Sequence, residues 1–360
     1  MRLITFRNKT RDPTRKESLE EIGALIDGDT KIIRLQAAEK LRSGQLHPQL
    51  ASMIAFLEGG GASRETARAA LDFALSRRPE GVIVERSSVE LLSPVQRPES
   101  IRDFMSFEQH AINCLRRLSM PRWRGVVDEW IEGIFGRKAT LAYRMNRAWY
   151  ERPLYYKGNR RTVVGDGARV AIPSFTQRLD WELEWGVFLC KTGRDISAAK
   201  ARDYIGGYTI FNDFSARDIQ AKEMAGHLGP AKGKDFDGGN AIGPALVSPD
   251  EIPDPYNLTM HARVNSEEVS YGHTKGMRWS FEEMIAYVSR SETLYPGDFL
   301  GSGTATVPES GKNRRCCGLE MGRYLKAGDK VELEVDRIGT LTNFVVENRK
   351  KLSGEFLPPE

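Results

Sequence analysis

Residues 180–185 read Asp-Trp-Glu-Leu-Glu-Trp, so acidic and apolar residues alternate strictly. Alternate side chains of an extended strand point to the same face, which predicts that Asp180, Glu182 and Glu184 lie together. Three carboxylates on one face repel each other unless water or a cation lies among them. The chain continues into the apolar residues 187–190, which indicate a buried strand. We therefore interpret this stretch as a buried β-strand with a divalent metal site at its start.

The sequence around this strand predicts an α+β fold that is mostly β. Short segments of β pattern, separated by Gly, Pro and Asp, recur between residues 162 and 346. Helical patterns interrupt them near 197–204 and 280–289. Many short strands with few helices favour a β-sandwich or roll over a parallel α/β sheet.

Prolines near residue 95 divide the chain into two predicted domains. Residues 1–95 read as a smaller N-terminal α+β domain, and residues 96–350 as the main domain. Residues 351–360 carry charges and two prolines, which predicts a flexible tail.

Local patterns also predict individual elements. Asp-Gly-Asp at 27–29 indicates a hairpin turn, and helices are predicted over about 47–58 and after Ser63 as N-cap. A further helix is predicted over 103–117. Residues 118–152 are rich in Arg and Trp without a strand pattern, and we interpret them as a lid that sets substrate size.

Composition argues against several classes of protein. The chain has four cysteines and no Cys-x-x-Cys pair, which favours a reduced, cytoplasmic protein over a disulfide framework. No apolar run approaches the length of a membrane span, so no membrane partner is predicted. The net charge of +4 is spread over the chain, and the paired arginines lack interleaved aromatic residues. Nucleic-acid binding is therefore not predicted either.

A second acidic candidate stands where another apolar segment ends. Residues 208–213 read Tyr-Thr-Ile-Phe-Asn-Asp, and Asp213 is either a third hard oxygen ligand or the cap of the following helix. Arg217 and Gln220 follow one helical turn apart.

Other candidates are weaker when each is taken alone. Lys234 lies in a Gly-rich loop without Walker spacing, where a lysine either reaches an anionic ligand or is solvated. His110 follows Asp103 by seven residues, on the same face of the predicted helix, and a lone helical histidine is most often structural. Thr304 and Glu320 stand on segments bracketed by glycines, which allow a ligand to approach closely.

In their combination and order, these motifs resemble the fumarylacetoacetate hydrolase family over roughly residues 100–346. The strongest elements are the segments 179–184 (LDWELE) and 212–220 (NDFSARDIQ). The loop around Lys234 and the segments 302–304 (SGT) and 318–320 (GLE) follow in the family's order. The resemblance implies a mixed β-sandwich roll that pairs as a homodimer.

The resemblance also implies a cofactor, Mg²⁺ or Mn²⁺. Its predicted ligands are four carboxylates: Asp103, Glu182, Glu184 and Asp213. Oxygen ligands are those that these hard cations prefer. Arg217 and Lys234 would then offset the excess negative charge.

Roles in catalysis are implied in the same way. The predicted catalytic residues are His110, Glu320 and Lys234, and the predicted substrate-binding residues are Tyr156, Arg217, Gln220 and Thr304. Glu320 would hold the tautomer of His110, and the imidazole would take a proton from water. Attack of the hydroxide on a ketone carbon would break a C–C bond, with the resulting enolate stabilised by the metal.

The function predicted from these roles is hydrolysis of a C–C bond in a 1,3-diketo acid. The substrate would be an acylpyruvate or a fumarylacetoacetate-like compound from aromatic or sugar breakdown. A 2-oxo acid decarboxylase and an enol isomerase or lyase stay open as alternatives on the same metal site, as does a non-catalytic binder. His110 favours hydrolysis, because the alternatives need no hydroxide. Met105 stands where the family's namesake enzymes carry a tyrosine, and Gly238 stands near a position where they carry a threonine. The resemblance therefore does not imply their contacts with the distal end of the substrate.

Overall fold

The computed structural model describes residues 1–9, 20–306 and 316–348; the predicted tail at 351–360 lies outside them. The strands within these ranges are β1 (Arg2–Asn8), β2 (Glu21–Ile26), β3 (Lys31–Arg34), β4 (Ile83–Glu85), β5 (Val89–Leu92), β6 (Ile101–Phe104), β7 (Tyr155–Gly158), β8 (Val163–Val164), β9 (Arg169–Ala171), β10 (Leu179–Asp180), β11 (Leu183–Leu189), β12 (Ile205–Asp213), β13 (Ser215–Ala216), β14 (Asn240–Val247), β15 (Thr259–Val264), β16 (Glu267–His273), β17 (Phe299–Gly301), β18 (Lys330–Val335) and β19 (Gly339–Val346). The helices are α1 (Leu35–Ser43), α2 (Met53–Arg77), α3 (Glu108–Cys114), α4 (Arg122–Phe135), α5 (Leu141–Met145), α6 (Arg147–Glu151), α7 (Ala198–Ala201), α8 (Arg217–Ala225), α9 (Phe281–Val288) and α10 (Gly318–Met321).

Two main sheets carry the fold. The larger has the order β4-β3-β2-β1-β14-β12-β11-β17-β6-β7, with β5 beside β1 and β8 beside β14. The smaller has the order β16-β15-β18-β19-β9. One hydrophobic core includes Trp185 of the larger sheet and Leu333 of the smaller, which is the expected result of stacking two apolar faces. The predicted α+β architecture, mostly β, is confirmed.

The N-terminal strands continue the larger sheet across the predicted boundary near residue 95. Strand β1 pairs with β14 through Arg2 opposite Val247, and it also pairs with β2 and β5. The predicted hairpin at 27–29 is confirmed, since β2 and β3 pair on either side of it. Because the two parts share a sheet, their division into domains stays a prediction.

The helices of the N-terminal part differ from the prediction. Helix α1 was not predicted, and α2 begins at Met53, where the Ser52 side chain accepts a hydrogen bond from the backbone N–H of Ala55. The predicted break is a kink at Gly60, whose φ of 54° only glycine adopts easily, and α2 continues past it. Ser63 is buried inside α2 and does not cap a helix, so that prediction is wrong.

The prediction that Asp103 begins a helix is also wrong. Asp103 lies in β6, opposite Gly301 of β17 on one side and Tyr156 of β7 on the other. These two ladders hold the backbone extended, and α3 begins only at Glu108. Asp103 and His110 therefore do not share a helical face.

The stretch 180–185 is not one continuous strand. Asp180 ends β10, which pairs with β13, while β11 begins at Leu183 and pairs with β12. The side chain of Asn212 accepts a hydrogen bond from the backbone N–H of Glu182 at 3.0 Å, which satisfies the backbone at the break. Alternation is kept from Leu183 onward, and across the break Asp180 and Glu182 both accept hydrogen bonds from the guanidinium of Arg217.

Residues 118–152 form helices α4, α5 and α6. Helix α4 leaves large apolar side chains exposed at helical spacing: Trp123, Val126, Val127, Trp130 and Ile134. The role of this region as a lid stays a prediction.

Candidate active site

A cavity of ≈ 300 Å³ brings together most of the predicted site residues. Its walls come from β6, β7, β11, α3 and α8 and from the loops that carry Lys234 and Thr304. Nine of the predicted residues line it: Asp103, His110, Tyr156, Glu182, Glu184, Arg217, Gln220, Lys234 and Thr304. The other two, Asp213 and Glu320, lie directly behind this layer, where they contact Tyr156 and His110.

Three carboxylates from three strands meet at the cavity floor, where Asp103 and Glu184 line the cavity and Asp213 lies directly behind them. Asp103, Glu184 and Asp213 each offer an oxygen, and these oxygens all lie within 4.8 Å of one another. Sheet pairing places them there: β11 pairs with β12 and with β17, and β17 pairs with β6. All three side chains are buried.

Burial and mutual repulsion disfavour negative charge on these carboxylates. Burial and the charge of Asp213 raise the pKa of Asp103 well above its usual value. Burial and the charge of Asp103 raise the pKa of Glu184 in the same way. Burial raises the pKa of Asp213 to about 6, although Lys234 opposes the shift. A cation between the three carboxylates would relieve this repulsion.

The hydrogen bonds of the trio leave one oxygen without a partner. Glu184 accepts a bond from the backbone N–H of Gly303 at 2.9 Å, and the Tyr156 hydroxyl donates to Asp213 Oδ2 at 2.7 Å. Asp213 Oδ1 is buried and, within the described part of the chain, makes no hydrogen bond. A buried carboxylate oxygen without a donor is costly. These three side chains fit a hard divalent cation such as Mg²⁺ or Mn²⁺.

Glu182 stands beside the trio and is paired with cations of the chain. Arg217 Nη2 donates to its Oε1 at 2.7 Å, and the Lys234 ammonium donates to its Oε2 and to Asp213 Oδ2. Burial raises the pKa of Glu182, but Arg217 and Lys234 lower it more, so the net pKa lies well below the usual value. Lys234 is therefore a buried site residue, although the sequence left it open as a solvated lysine. Glu182 as a metal ligand stays a prediction.

A histidine–glutamate pair lies at the edge of the same cavity. His110 Nδ1 is 3.0 Å from Glu320 Oε1, and Asn113 and the backbone N–H of Cys316 donate to Glu320 Oε2 at 2.8 and 3.1 Å. His110 Nε2 faces the other way, 3.5 Å from Glu182 Oε1. A carboxylate oxygen thus lies beside each ring nitrogen, so Glu320 can hold a proton on Nδ1, while Nε2 lies on the side of Glu182.

Comparison with known proteins shows to which family the chain belongs. The C-terminal model of fumarylacetoacetate (FAA) hydrolase matches residues 132–346. The mitochondrial oxaloacetate tautomerase of Xenopus laevis is 32% identical over 96% of this chain and 90% of its own length. The chain belongs to the fumarylacetoacetate hydrolase family.

Further family members differ in the reaction they catalyse. A 2,4-didehydro-3-deoxy-L-rhamnonate hydrolase from a Sphingomonas strain is 36% identical over 55% of this chain and 66% of its own length. A fumarylacetoacetate hydrolase from Exiguobacterium antarcticum shares the fold with a TM-score of 0.68 at 23% identity, covering 97% of this chain and 100% of that one. The chain is thus an enzyme of the family's hydrolase, isomerase or tautomerase type. Within the described ranges, no helix is long and apolar enough to cross a membrane.

Several family positions predicted to bind substrate also hold the site together. Tyr156 orients Asp213 through its hydroxyl. Arg217 is buried and donates Nη1 to Gln220 Oε1 at 2.9 Å, and Thr304 Oγ1 lies 3.5 Å from Glu184 Oε1. All except Asp213 line the cavity, and their contact with substrate stays a prediction.

Asp180 is a positioning residue, a role that the sequence interpretation did not assign to it. It accepts hydrogen bonds from Arg217 Nε at 2.7 Å and from the backbone N–H groups of Gly318 and Leu319 at 2.6 and 2.8 Å. Asp180 thereby ties the start of α10, which carries Glu320, to the arginine beside Glu182. The sequence signal that could have marked Asp180 as important was its position in the family motif. Its hydrogen-bond donors could be known only from the fold.

Replacing Asp180 with asparagine is expected to lower the free energy of unfolding by about 1.5–3 kcal/mol, because bonds to a charged acceptor are lost. Urea denaturation measures this. Asp336→Asn serves as the control, since this exposed carboxylate accepts one backbone bond, from Thr259, at 3.0 Å, and a change within about 0.5 kcal/mol is expected. Equal stability of the Asp180 variant and wild type would contradict the anchoring role.

The outer part of the cavity is apolar. Met105, Leu115, Leu118, Leu154 and Met224 line it. The lysine and arginine side chains among the described lining residues are Lys234 and Arg217, and both are already paired with buried carboxylates. The cavity therefore offers a charged floor and an apolar outer wall.

Proposed function

We propose that this enzyme hydrolyses a C–C bond in a 1,3-diketo acid of the acylpyruvate type. The observation that carries the proposal is the His110–Glu320 pair, whose histidine lines the same cavity as Asp103 and Glu184, with Asp213 directly behind them. A base beside a cation-binding floor is the combination that hydrolytic cleavage of a dicarbonyl compound needs.

We infer that Asp103, Glu184 and Asp213 hold Mg²⁺ or Mn²⁺, with Glu182 as a fourth ligand. A maleylpyruvate hydrolase from Sphingobium sp. SYK-6, which shares the fold with a TM-score of 0.66 at 19% identity, was solved with manganese and pyruvate. When bound, the cation would act as a Lewis acid towards the oxygens of a dicarbonyl substrate.

The residues of the chain supply the proton transfers. Glu320 keeps the proton of His110 on Nδ1, so Nε2 accepts a proton from water and a hydroxide adds to the ketone carbon of the substrate. The C–C bond then breaks, and its electron pair stays on the leaving fragment as an enolate. That fragment takes a proton back from the imidazolium, which restores His110 and releases two acid products. Lys234 adds positive charge near the substrate's oxygens.

The apolar outer wall of the cavity indicates which kind of acyl group the substrate carries. A 2-oxo acid end would lie at the charged floor, and an alkyl or aryl acyl group would pack against Leu115, Leu118 and Met224. The second carboxylate of oxaloacetate would meet no unpaired lysine or arginine among the described lining residues. We therefore favour acylpyruvates over dicarboxylates.

Enol tautomerisation is the second candidate, because the chain is 32% identical to an oxaloacetate tautomerase over nearly its whole length. His110 Nε2 could also move a proton between carbon and oxygen without water attack. Decarboxylation on the same site stays a weaker alternative. The homodimer, the cytoplasmic location and the absence of nucleic-acid and membrane partners also stay predictions.

A series of acylpyruvates of increasing chain length, together with oxaloacetate, separates these functions. We expect loss of enol absorbance with formation of two acids, and a rise in kcat/KM of about fourfold per added methylene, since each buried CH₂ contributes about 0.8 kcal/mol. EDTA should abolish turnover, and Mg²⁺ or Mn²⁺ should restore it. Turnover of oxaloacetate enol with no C–C cleavage in any acylpyruvate would favour the tautomerase instead.

A further inference from the structure

A second group of potential metal ligands includes the proposed base and the side chains behind it. His110, Cys316, Cys317 and Glu320 are all buried and offer ligand atoms within 4.8 Å of one another. Cys316 Sγ lies 3.3 Å from His110 Nδ1 and 3.0 Å from Glu320 Oε1, and Cys317 Sγ lies 3.9 Å from the same oxygen. The three carboxylates at the cavity floor share no member with this group.

The composition of this group differs from that of the carboxylate trio. Two thiols, an imidazole and one carboxylate are the ligands of Zn²⁺ and similar borderline-soft cations, whereas Mg²⁺ and Mn²⁺ prefer oxygen. Tetrahedral zinc with bonds of about 2.3 Å to sulfur and about 2.0 Å to nitrogen places neighbouring ligand atoms about 3.3–3.8 Å apart. The distances among these side chains are close to that range, so small shifts would complete the shell.

We propose that His110, Cys316, Cys317 and Glu320 form a zinc site that switches the enzyme off. Zn²⁺ would bind His110 at Nδ1, the nitrogen that faces Cys316 and Glu320. A neutral imidazole carries one proton, so coordination at Nδ1 moves that proton to Nε2. Nε2 then has no lone pair with which to take a proton from water. The inhibitory effect rests on the function proposed above, whereas the binding itself does not.

The charge and proton balance of binding is favourable. The Cys316 and Cys317 thiols lose their protons to solvent, and the two thiolates with the Glu320 carboxylate give the site a net charge of −1 around Zn²⁺. His110 and Cys114 line the cavity, and the polarizable Cys114 Sγ lies 3.3 Å from His110 Nε2. The group thus adjoins the cavity through His110, and its charge suits a dication.

Cobalt titration tests the site without reference to turnover. Purified full-length enzyme is first saturated with Mg²⁺ in the presence of a non-thiol reductant, and Co²⁺ is then added. We expect a near-ultraviolet sulfur-to-cobalt charge-transfer band that saturates at one Co²⁺ per chain and disappears when Zn²⁺ is added. Absence of the band would overturn the proposal.

Matched cysteine variants show which residues give rise to the charge-transfer band. The Cys316→Ser and Cys317→Ser variants, single and double, should each weaken or abolish it, with far-ultraviolet circular dichroism as the check on folding. Cys190→Ser is the control, because Cys190 is also buried but belongs to another core cluster. A band that persists in the folded double variant, or that is lost in Cys190→Ser, would overturn the assignment.

Zinc inhibition of the wild-type enzyme tests the zinc site and the proposed role of His110 independently of each other. We expect Zn²⁺ to inhibit the Mg²⁺-loaded enzyme by more than tenfold, over the same concentration range in which it displaces cobalt. A cobalt band without zinc inhibition would support the site and count against His110 as the base. No band and no inhibition would remove the zinc site and leave the hydrolase proposal standing.

Discussion

Replacing His110 with alanine is expected to lower kcat by about 10²-fold or more, because a positioned general base contributes roughly that much. His110 lies on one side of Glu182 and makes no contact with Asp103, Glu184 or Asp213 in the described hydrogen bonds. His110 touches only Glu182, whose oxygens Arg217 and Lys234 already hold, so the affinity for Mn²⁺ should fall by no more than about tenfold, the lower end of the cost of a change outside the ligand shell. Steady-state turnover of an acylpyruvate and calorimetric titration with Mn²⁺ measure the two effects.

A second histidine–glutamate pair provides the control. His261 Nδ1 lies 2.8 Å from Glu268 Oε2 on the surface, where the His261 side chain is 25% exposed. His261→Ala removes the same chemical groups and should leave kcat unchanged. Wild-type turnover in the His110 variant would rule out the dyad mechanism, and equal losses in both variants would point to a general effect on folding.

Replacing Asp213 with asparagine is expected to weaken binding of Mn²⁺ by more than about 100-fold. The amide oxygen can keep the bonds from Tyr156 and Lys234 to Oδ2, so the amide nitrogen replaces Oδ1, the oxygen left without a donor. An N–H group at that position repels a cation. Changes to groups outside a metal's ligand shell already cost 10- to 100-fold in affinity, and the loss of a ligand should exceed that.

The metal-free Asp213 variant should also be more stable than the wild type. Burial and neighbouring acids raise the pKa of Asp213 to about 6, so its charge is unfavourable at neutral pH and absent from asparagine. Thermal unfolding in EDTA should show a raised Tm. The control is Asp166→Asn, a carboxylate that is 9% exposed and paired with Arg86 away from the cavity. Unchanged Mn²⁺ affinity in the Asp213 variant would exclude Asp213 as a ligand.

Much of the site could be predicted because strand patterns and family motifs coincide. Glu184 alternates with apolar residues in β11, and Asp213 ends the apolar strand β12, so both were expected at an end of a buried strand. Neither pattern indicates which strands are neighbours in the sheet. The meeting of the two acids with Asp103 depends on pairing between β6 and β17, whose residues lie about 200 positions apart in sequence.

The errors arose where long-range contacts outweigh local pattern. Residues 103–117 have a helical pattern, but two neighbouring strands hold Asp103 in an extended backbone. Asp180 fits the alternation of the acidic stretch, yet it ends a separate short strand and accepts hydrogen bonds from Arg217 and α10. Sequence spacing gave no indication that Cys316 lies beside His110, because 206 positions separate the two residues.

The central claim is that Asp103, Glu184 and Asp213 converge on one divalent cation. Anomalous diffraction from crystals grown with Mn²⁺ tests this most directly, because manganese scatters anomalously and the protein's light atoms do so only weakly. We predict a single strong peak per chain within bonding distance of all three carboxylates. A peak elsewhere, or none at this position at saturating Mn²⁺, would contradict the claim and the reaction built on it.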